Sequence, residues 1–252
     1  MHKKPDVHLF ALYYASLSDT YRQMHANATL ELTNRDLTHR ISKVLRLQKG
    51  EQLILFDRTH HLHATLEDVQ AKQIVLRTKP LLANTQPQPI ITLGLPLLKR
   101  RDLEEALYAA TEVGINAIQL LQTEKSSHLH KGDPLSRLER IVSAAAEQAK
   151  QFALPTLYAP IPVAEWFTTV SSEAAVLFEP DGEMLHTIAD QLRATQPHHI
   201  TLLLGPEGDL TPEEKQMARS QGFIFCALTP TILQAHRAVA VGCGAMRSLL
   251  RN

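Results

Sequence analysis

Cysteine is scarce in this chain of 252 residues, which contains only Cys226 and Cys243. The two stand at no spacing that a structural zinc site uses, and a single pair does not make the disulfide framework of a small secreted protein. We expect both to be reduced, buried thiols of a cytosolic protein, with one disulfide between them as the open alternative.

Long hydrophobic runs are also missing. None approaches the roughly 20 apolar residues that a membrane-spanning helix needs, so no membrane partner is expected. The first residues, Met-His-Lys-Lys-Pro-Asp, lack the apolar segment of a secretory signal. The sequence therefore favours a cytoplasmic location.

Several familiar ligand motifs are absent as well. Neither the Gly-x-Gly-x-x-Gly of a dinucleotide fold nor the Gly-x-x-x-x-Gly-Lys of a P-loop occurs, so sites for dinucleotides and ATP gain no support. The cluster His60-His61-Leu62-His63 has no cysteine or carboxylate at ligand spacing. A polar hairpin turn is the favoured interpretation, and no metal is expected.

Charge is balanced overall but unevenly distributed. The net charge is zero, yet residues 1–80 hold 12 Lys and Arg against 8 Asp and Glu, and residues 81–252 hold 14 against 18. A basic first part beside an acidic remainder indicates an anionic partner for the first part.

The first part of the sequence, residues 1–79, predicts a small β-rich domain. Residues 7–14 are typical of a strand, and residues 35–46 of a helix whose face contains Leu37, Ile41, Val44 and Leu45. Thr33 or Asn34 can cap this helix. Three further strands are predicted at Gln52–Phe56, His63–Asp68 and Ile74–Thr78. Residues 80–89, with three prolines and no charge, form the predicted linker.

Basic side chains are concentrated on the predicted helix, at His39, Arg40, Lys43 and Arg46. At α-helical spacing His39, Lys43 and Arg46 share one face, which suits contacts with phosphates. A solvated helix face is an equally good explanation from the residues alone.

Residues 90–252 alternate strands and helices, which predicts an α/β domain with a mostly parallel sheet covered on both faces. The predicted strands are Ile90–Leu95, Ala117–Leu121, Ala174–Phe178, Ile200–Leu204 and Phe223–Leu228. The predicted helices are Asp102–Val113, Pro134–Phe152, a short one near Ala164, Glu183–Ala194, one from Pro212, and Gln234–Leu250.

Two loops follow neighbouring strands of this domain. Gly205-Pro206-Glu207-Gly208 closes the Ile200 strand, and a helix then begins with Thr211 as N-cap and Glu214 completing a capping box. Thr229-Pro230-Thr231 closes the next strand. Because ligands of open α/β sheets bind at the carboxyl ends of strands, these loops are the candidate ligand site.

The sequence resembles the RsmE family of SPOUT-class methyltransferases, which methylate N3 of a uridine in small-subunit (16S) ribosomal RNA. Leu204-Gly205-Pro206-Glu207-Gly208 is similar to that family's most specific motif. Phe56-Asp57, Ala110-Thr111-Glu112-Val113-Gly114 and Ala146-Glu147-Gln148 match other family motifs in the same order.

The resemblance implies a fold and partners that the residues alone do not reveal. It implies a PUA-like β-barrel that binds RNA, followed over residues 90–252 by a SPOUT domain with a C-terminal trefoil knot. It also implies a homodimer, ribosomal RNA in the 30S subunit as partner, and S-adenosylmethionine as cofactor. The implied cofactor residues are Phe178, Glu179, Leu204, Gly205, Pro206, Glu207, Gly208, Leu228, Thr229, Pro230, Ile232 and Leu233. Lys99 and Arg100 join the basic helix as candidate RNA contacts.

The chain departs from the family in two loops. Asp209 stands where the family has a second glycine, and Gln234, His236 and Arg237 stand where its last motif has Arg, Glu and Thr. Methylation of uridine N3 needs a base or a charge that stabilises the anion. The candidate catalytic residues are Arg237, which would replace the missing cation, His236, which could act as base, and Gln234. An equally good explanation is that His236 and Arg237 are ordinary residues in the first turn of a helix. The alternative is a divergent SPOUT-fold protein that binds RNA or ribosomes with lost or altered transfer.

Overall fold

The computed structural model describes residues 9–23, 29–127 and 135–250. The chain forms two compact units. The first comprises Met1–Thr85 with Ala146–Ala153, and the second Gln86–Ala145 with Leu154–Asn252.

The first unit contains a six-stranded mixed sheet. Its hydrogen-bonded order is β1-β3-β4-β5-β2, with β6 paired to β4. β1 and β3 are parallel and the other pairs antiparallel. The strands are β1 (Phe10–Tyr13), β2 (Thr29–Leu32), β3 (Gln52–Phe56), β4 (His60–Val69), β5 (Ile74–Thr78) and β6 (Leu82–Ala83). The predicted β3 and β5 are confirmed with the same bounds, and β6 lies within the predicted linker.

The strand predicted over residues 7–14 is found as β1, and residues 7 and 8 lie outside the described residues. Neither the short helix α1 (Leu17–Arg22) nor β2 was predicted. Both are short, and most of their stabilisation comes from burying residues such as Leu17 and Leu30 in the core, a tertiary effect.

The predicted helix at residues 35–46 is only partly α-helical. α2 (Arg35–His39) is capped by Asn34, whose Oδ1 accepts from Leu37 N at 3.0 Å. Residues Arg40–Val44 continue as a π-helix, and Arg46 ends it in a left-handed conformation with φ 53°. The wider π turn rotates the following side chains. Val44 is therefore 62% exposed, and its predicted place in the core is wrong. His39, Lys43 and Arg46 likewise do not keep α-helical spacing.

The second unit contains a six-stranded sheet in which every pair is parallel, in the order β12-β10-β11-β7-β8-β9. This confirms the predicted parallel sheet. The strands are β7 (Ile90–Pro96), β8 (Ala117–Gln122), β9 (Thr156–Pro162), β10 (Ala174–Met184), β11 (His199–Leu204) and β12 (Ile224–Ala227). The helices are α3 (Arg100–Glu112), α4 (Leu135–Ala149), α5 (Val163–Thr169), α6 (Leu185–Thr195), α7 (Pro212–Ser220) and α8 (Ala235–Leu249). The last four residues of α4 belong to the first unit.

Apolar side chains cover both faces of this sheet. Along β10, Val176 and Phe178 join a core with α3, α6 and α8, whereas Ala175 and Leu177 join a second core with α5 and α7. Successive residues of a strand point to opposite faces, so a strand buried on both sides is apolar throughout. The predicted coverage of both faces is confirmed.

Several elements of the second unit differ from the prediction. β9 was not among the predicted strands; it is an edge strand, where proline is tolerated. α6 begins at Leu185 instead of Glu183, because β10 continues through Met184. α4 ends at Ala149 instead of Phe152, and Lys150 follows with φ 54°. Pro134, its predicted first residue, lies outside the described residues.

The two cysteines are free and buried, as predicted. Burial raises the pKa of Cys226 to about 11 and that of Cys243 to about 12. Among the described residues, no helix combines the length and the apolar character that crossing a bilayer demands.

Candidate functional site

The glycine loop, residues 205–209, follows β11, which lies between β10 and β7 in the sheet. The predicted capping box is confirmed: Thr211 Oγ1 accepts from Glu214 N at 3.2 Å, and Glu214 Oε2 accepts from Thr211 N at 2.9 Å. These bonds fix the start of α7 and hence the end of the loop.

Asp209 occupies a backbone conformation that suits glycine, with φ 64°. Asp is one of the few other residues that adopt this region readily. Its Oδ1 accepts from Leu210 N at 2.7 Å. At Gly205 an added Cβ would lie 3.3 Å from the same oxygen, so the first glycine leaves room for this carboxylate.

A four-residue bulge in β10 forms a second wall. Phe178 and Glu183 both pair with Cys226 of β12, so residues 179–182 protrude from the ladder. A Cβ at Gly182 would lie 2.4 Å from the backbone of Phe225, so only glycine permits this close approach. The bulge carries Glu179, Pro180 and Asp181 to the edge of the sheet at which β11 ends.

A cavity of about 630 Å³ lies among these loops. It is lined by Phe178 and Glu179 at the β10 bulge, by 204–207 at the end of β11 and in the loop that follows, and by residues 228, 229, 232 and 233 after β12. The structure therefore places ten of the twelve predicted cofactor residues around one cavity. Gly208 and Pro230 do not line the cavity.

The predicted catalytic residues divide into two groups. Gln234 lines the cavity, but His236 and Arg237 do not. The imidazole of His236 lies between two carboxylates of α3: Nδ1 is 3.4 Å from Asp102 Oδ1, and Nε2 is 3.3 Å from Glu105 Oε2. Arg237 is exposed at the first turn of α8.

These contacts change the interpretation of His236. Its side chain is 15% exposed, and the buried Nδ1 makes no hydrogen bond within the described part of the chain. Glu105 is also bound by Arg101, and this hydrogen bond, with the charges of His236 and Arg237, holds the pKa of Glu105 below its usual value. Asp102, Glu105 and His236 bring three possible metal ligands within 4.8 Å of one another, but the neighbouring arginines oppose a cation. The arrangement favours an ion-paired link between α8 and α3.

The start of α3 differs from the prediction. The predicted helix began at Asp102, but α3 begins at Arg100 with Lys99 as N-cap and no side-chain cap bond. The backbone N of Lys99 instead donates to Glu207 Oε1 at 2.9 Å. The glutamate of the glycine loop thus provides an acceptor for a backbone N–H at the start of α3.

Lys215 of α7 links two walls of the cavity. Its Nζ lies 2.9 Å from Glu179 Oε2 and 2.7 Å from Asp209 Oδ2. Burial alone would lower the pKa of Lys215, but hydrogen bonds and charges from the two carboxylates raise it above the ordinary value. A charged Lys215 therefore joins the β10 bulge to the glycine loop.

The predicted RNA contacts also have different surroundings. His39, Lys43 and Arg46 are exposed. Arg40 makes a bidentate ion pair with Glu147. Arg100 pairs with Glu104, and Lys99 lines the cavity.

Sequence reasoning missed Lys215, Asp181 and the carboxylate of Asp209 as parts of the site. Asp209 carried a signal, because it replaces a family glycine next to the loop. Asp181 and Lys215 carried none, since the first lies in an unpredicted bulge and the second on an ordinary amphipathic helix.

The cavity suits a cofactor of the size of S-adenosylmethionine. Small-molecule sites usually measure about 300–1,000 Å³ and combine an apolar wall with a few polar groups. Phe178, Leu204 and Leu233 supply apolar surface here, and carboxylates and backbone groups supply the polar part.

Solved structures define the class to which this fold belongs. A ribosomal RNA small subunit methyltransferase E from Neisseria gonorrhoeae, bound to S-adenosylmethionine, superimposes with a TM-score of 0.81 at 23% identity, covering 96% of this chain and 98% of that one. A Legionella pneumophila protein solved with the same cofactor gives 0.80 at 22% identity with the same coverage. The chain therefore has the α/β fold of these methyltransferases.

Sequence comparison identifies the family. The model of the RNA methyltransferase domain matches residues 84–247. A ribosomal RNA small subunit methyltransferase E from Synechocystis is 31% identical over 230 residues, which cover 89% of this chain and 75% of that protein. The Mycobacterium bovis protein of the same name is 31% identical over 215 residues, with 81% and 80% coverage. The chain belongs to the ribosomal RNA small subunit methyltransferase E family, as the sequence motifs predicted.

Proposed function

We propose that this protein transfers a methyl group from S-adenosylmethionine to N3 of a uridine in 16S ribosomal RNA. The cavity between the β10 bulge and the loops after β11 and β12 is the observation that carries the proposal. Relatives named for methylation of small-subunit ribosomal RNA support the substrate class.

The β10 bulge and the loops after β11 and β12 would hold the cofactor. Gly205 allows close approach of the backbone, and Phe178, Leu204 and Leu233 exclude water from the adenosine. Bound S-adenosylmethionine supplies a methyl group on a sulfonium, and the electron pair of the broken bond stays on sulfur. Positioning by the loops supplies much of the rate, since the donor is already reactive.

The uridine must lose its N3 proton, which passes to water as the N3–methyl bond forms. A positive charge near N3 reduces the cost of the anion. Arg237 is the candidate, because it is exposed one turn after Leu233, and Gln234 lies between them at the cavity wall. His236 then acts as a positioning residue that fastens this turn to α3, because both of its ring nitrogens face α3 carboxylates.

The finer architecture belongs to the same proposal. We take the first unit as a PUA-like domain whose exposed His39, Lys43 and Arg46 contact RNA phosphates, and the second as a SPOUT domain with a C-terminal trefoil knot. The working state is a cytoplasmic homodimer. Membership of the family supports these points.

Two measurements test the function. Isothermal titration with S-adenosylmethionine should give saturable binding, and tritiated methyl groups should then be transferred to 30S subunits. Binding without transfer would favour the alternative of a divergent RNA-binding protein. The absence of cofactor binding would refute the proposal.

A further inference from the structure

The wall of the cavity carries an excess of negative charge. Five carboxylates line it against one ammonium group, that of Lys99. They come from three segments: Asp102 from α3, Glu179 and Asp181 from the β10 bulge, and Glu207 and Asp209 from the glycine loop. Because three separate segments contribute, the excess belongs to the cavity and not to one acidic turn.

Neighbouring cations neutralise only part of this charge. Lys215 is shared by Glu179 and Asp209, so one positive charge serves two carboxylates. Glu207 accepts from the backbone N of Lys99, which is uncharged. Even with Lys99, Lys215, a protonated His236 and Arg101, whose charge interacts with Asp102, all counted, the carboxylates outnumber the cations by one.

Asp181 is the least compensated of the five carboxylates. Over the described ranges, its carboxylate accepts no hydrogen bond and joins no ion pair, and the residue is exposed where it lines the cavity. Its place on the bulge is fixed, because Gly182 beside it packs directly on the backbone of β12.

The two forms of the proposed cofactor differ by one charge. S-adenosylmethionine carries a sulfonium, an ammonium and a carboxylate, for a net charge of plus one. Loss of the methyl group leaves a neutral thioether in S-adenosylhomocysteine, whose net charge is zero. An acidic cavity therefore binds the methyl donor more tightly than the demethylated product.

We infer that the carboxylates of this cavity, with Asp181 foremost, select the cationic methyl donor over its neutral product and so promote product release. This selection rests on the proposed function, and the property by which the site distinguishes its ligands is their charge. In general, two opposite unit charges about 8 Å apart change affinity by about tenfold at an effective dielectric constant of about 30, and by about two- to threefold in bulk water.

The test is a titration with a charge series of ligands. Isothermal titration of the intact protein compares S-adenosylmethionine, S-adenosylhomocysteine and sinefungin, whose amine places a positive charge where the sulfonium lies. We expect the two cations to bind about tenfold more tightly than the neutral product, with the gap narrowing as salt rises. Asp181→Asn should reduce this difference in affinity severalfold, mainly by weakening the binding of the two cationic ligands.

A matched variant separates local from general charge effects. Asp190→Asn removes a carboxylate from exposed α6, outside the cavity wall, and should leave the gap unchanged. Equal or tighter binding of the neutral product, unaltered by Asp181→Asn, would overturn the inference while leaving the proposed function intact. No binding of any of the three ligands would overturn the proposed function and this inference with it.

Discussion

Replacement of Lys215 by methionine tests the link between two walls of the cavity. The variant keeps the length of the side chain but leaves Glu179, which is 7% exposed, and Asp209, which is 54% exposed, without their shared cation. Removing one partner of a buried ion pair costs about 3–5 kcal/mol. Because Asp209 is half exposed and water screens its charge, we expect a loss of about 2–3 kcal/mol in the free energy of unfolding.

The loss can be measured through the single tryptophan. Trp166 is buried beside Phe167 and Phe223, in the core that α5 and α7 share with one face of the sheet. Its fluorescence therefore reports the unfolding of the unit that contains Lys215. For a protein of this size the expected loss lowers Tm by roughly 5–10 °C.

Two companion variants sharpen the result. Lys215→Arg keeps the charge and should recover most of the stability. Adding Glu179→Gln to Lys215→Met removes the buried, unpaired carboxylate, so the double variant should be more stable than Lys215→Met alone. A Lys215→Met protein that unfolds within 1 °C of the wild type, with no coupling to Glu179, would refute the reasoning.

Three further predictions concern other parts of the chain. Asp57 is buried and accepts hydrogen bonds from Ser18 and Thr59, which lower its pKa although burial alone would raise it. Its contribution to stability is therefore present above the unfolded pKa of about 3.9 and is lost as pH falls through the folded value. Asp57→Asn should lower the free energy of unfolding by about 2–3 kcal/mol at pH 7. In acid the free energies of variant and wild type should converge, which denaturant titrations can check. Gly182→Ala should destabilise the second unit and weaken cofactor binding in calorimetry, because its Cβ meets backbone atoms at 2.4 Å; equal losses in Gly244→Ala, where the nearest atom is 3.7 Å away, would contradict this. Arg237→Ala should reduce the rate of methyl transfer by about 10²-fold with an unchanged cofactor Kd, and unchanged transfer would exclude it as the substitute cation.

Strong local signals explain what the sequence predicted well. Thr211, Pro212 and Glu214 define the start of α7 through bonds among neighbours, so no tertiary information was needed. The strand β11 is buried on both faces, and its mostly apolar run was equally clear. Because parallel strands end at one edge, the position of the ligand loops followed from the alternation of elements.

The remaining features depend on contacts that no local pattern encodes. The π-helical turn after His39 exposes Val44, although its spacing from Leu37 and Ile41 was that of a buried α-helical face. The bulge in β10 exists because Phe178 and Glu183 oppose the same residue of another strand. The same applies to His236, whose carboxylate neighbours lie more than 130 residues earlier in the chain.

The most direct test of the account is the identity of the methylated nucleoside. The protein would be incubated with 30S subunits that lack uridine-N3 methylation and with S-adenosylmethionine carrying a deuterated methyl group, and the 16S ribosomal RNA would be digested for mass spectrometry. We predict one deuterated 3-methyluridine per subunit. The Gly182→Ala variant should leave the nucleosides without label, because the substitution weakens cofactor binding. Cofactor binding with no labelled nucleoside, or with the label on a different base, would contradict the proposed reaction.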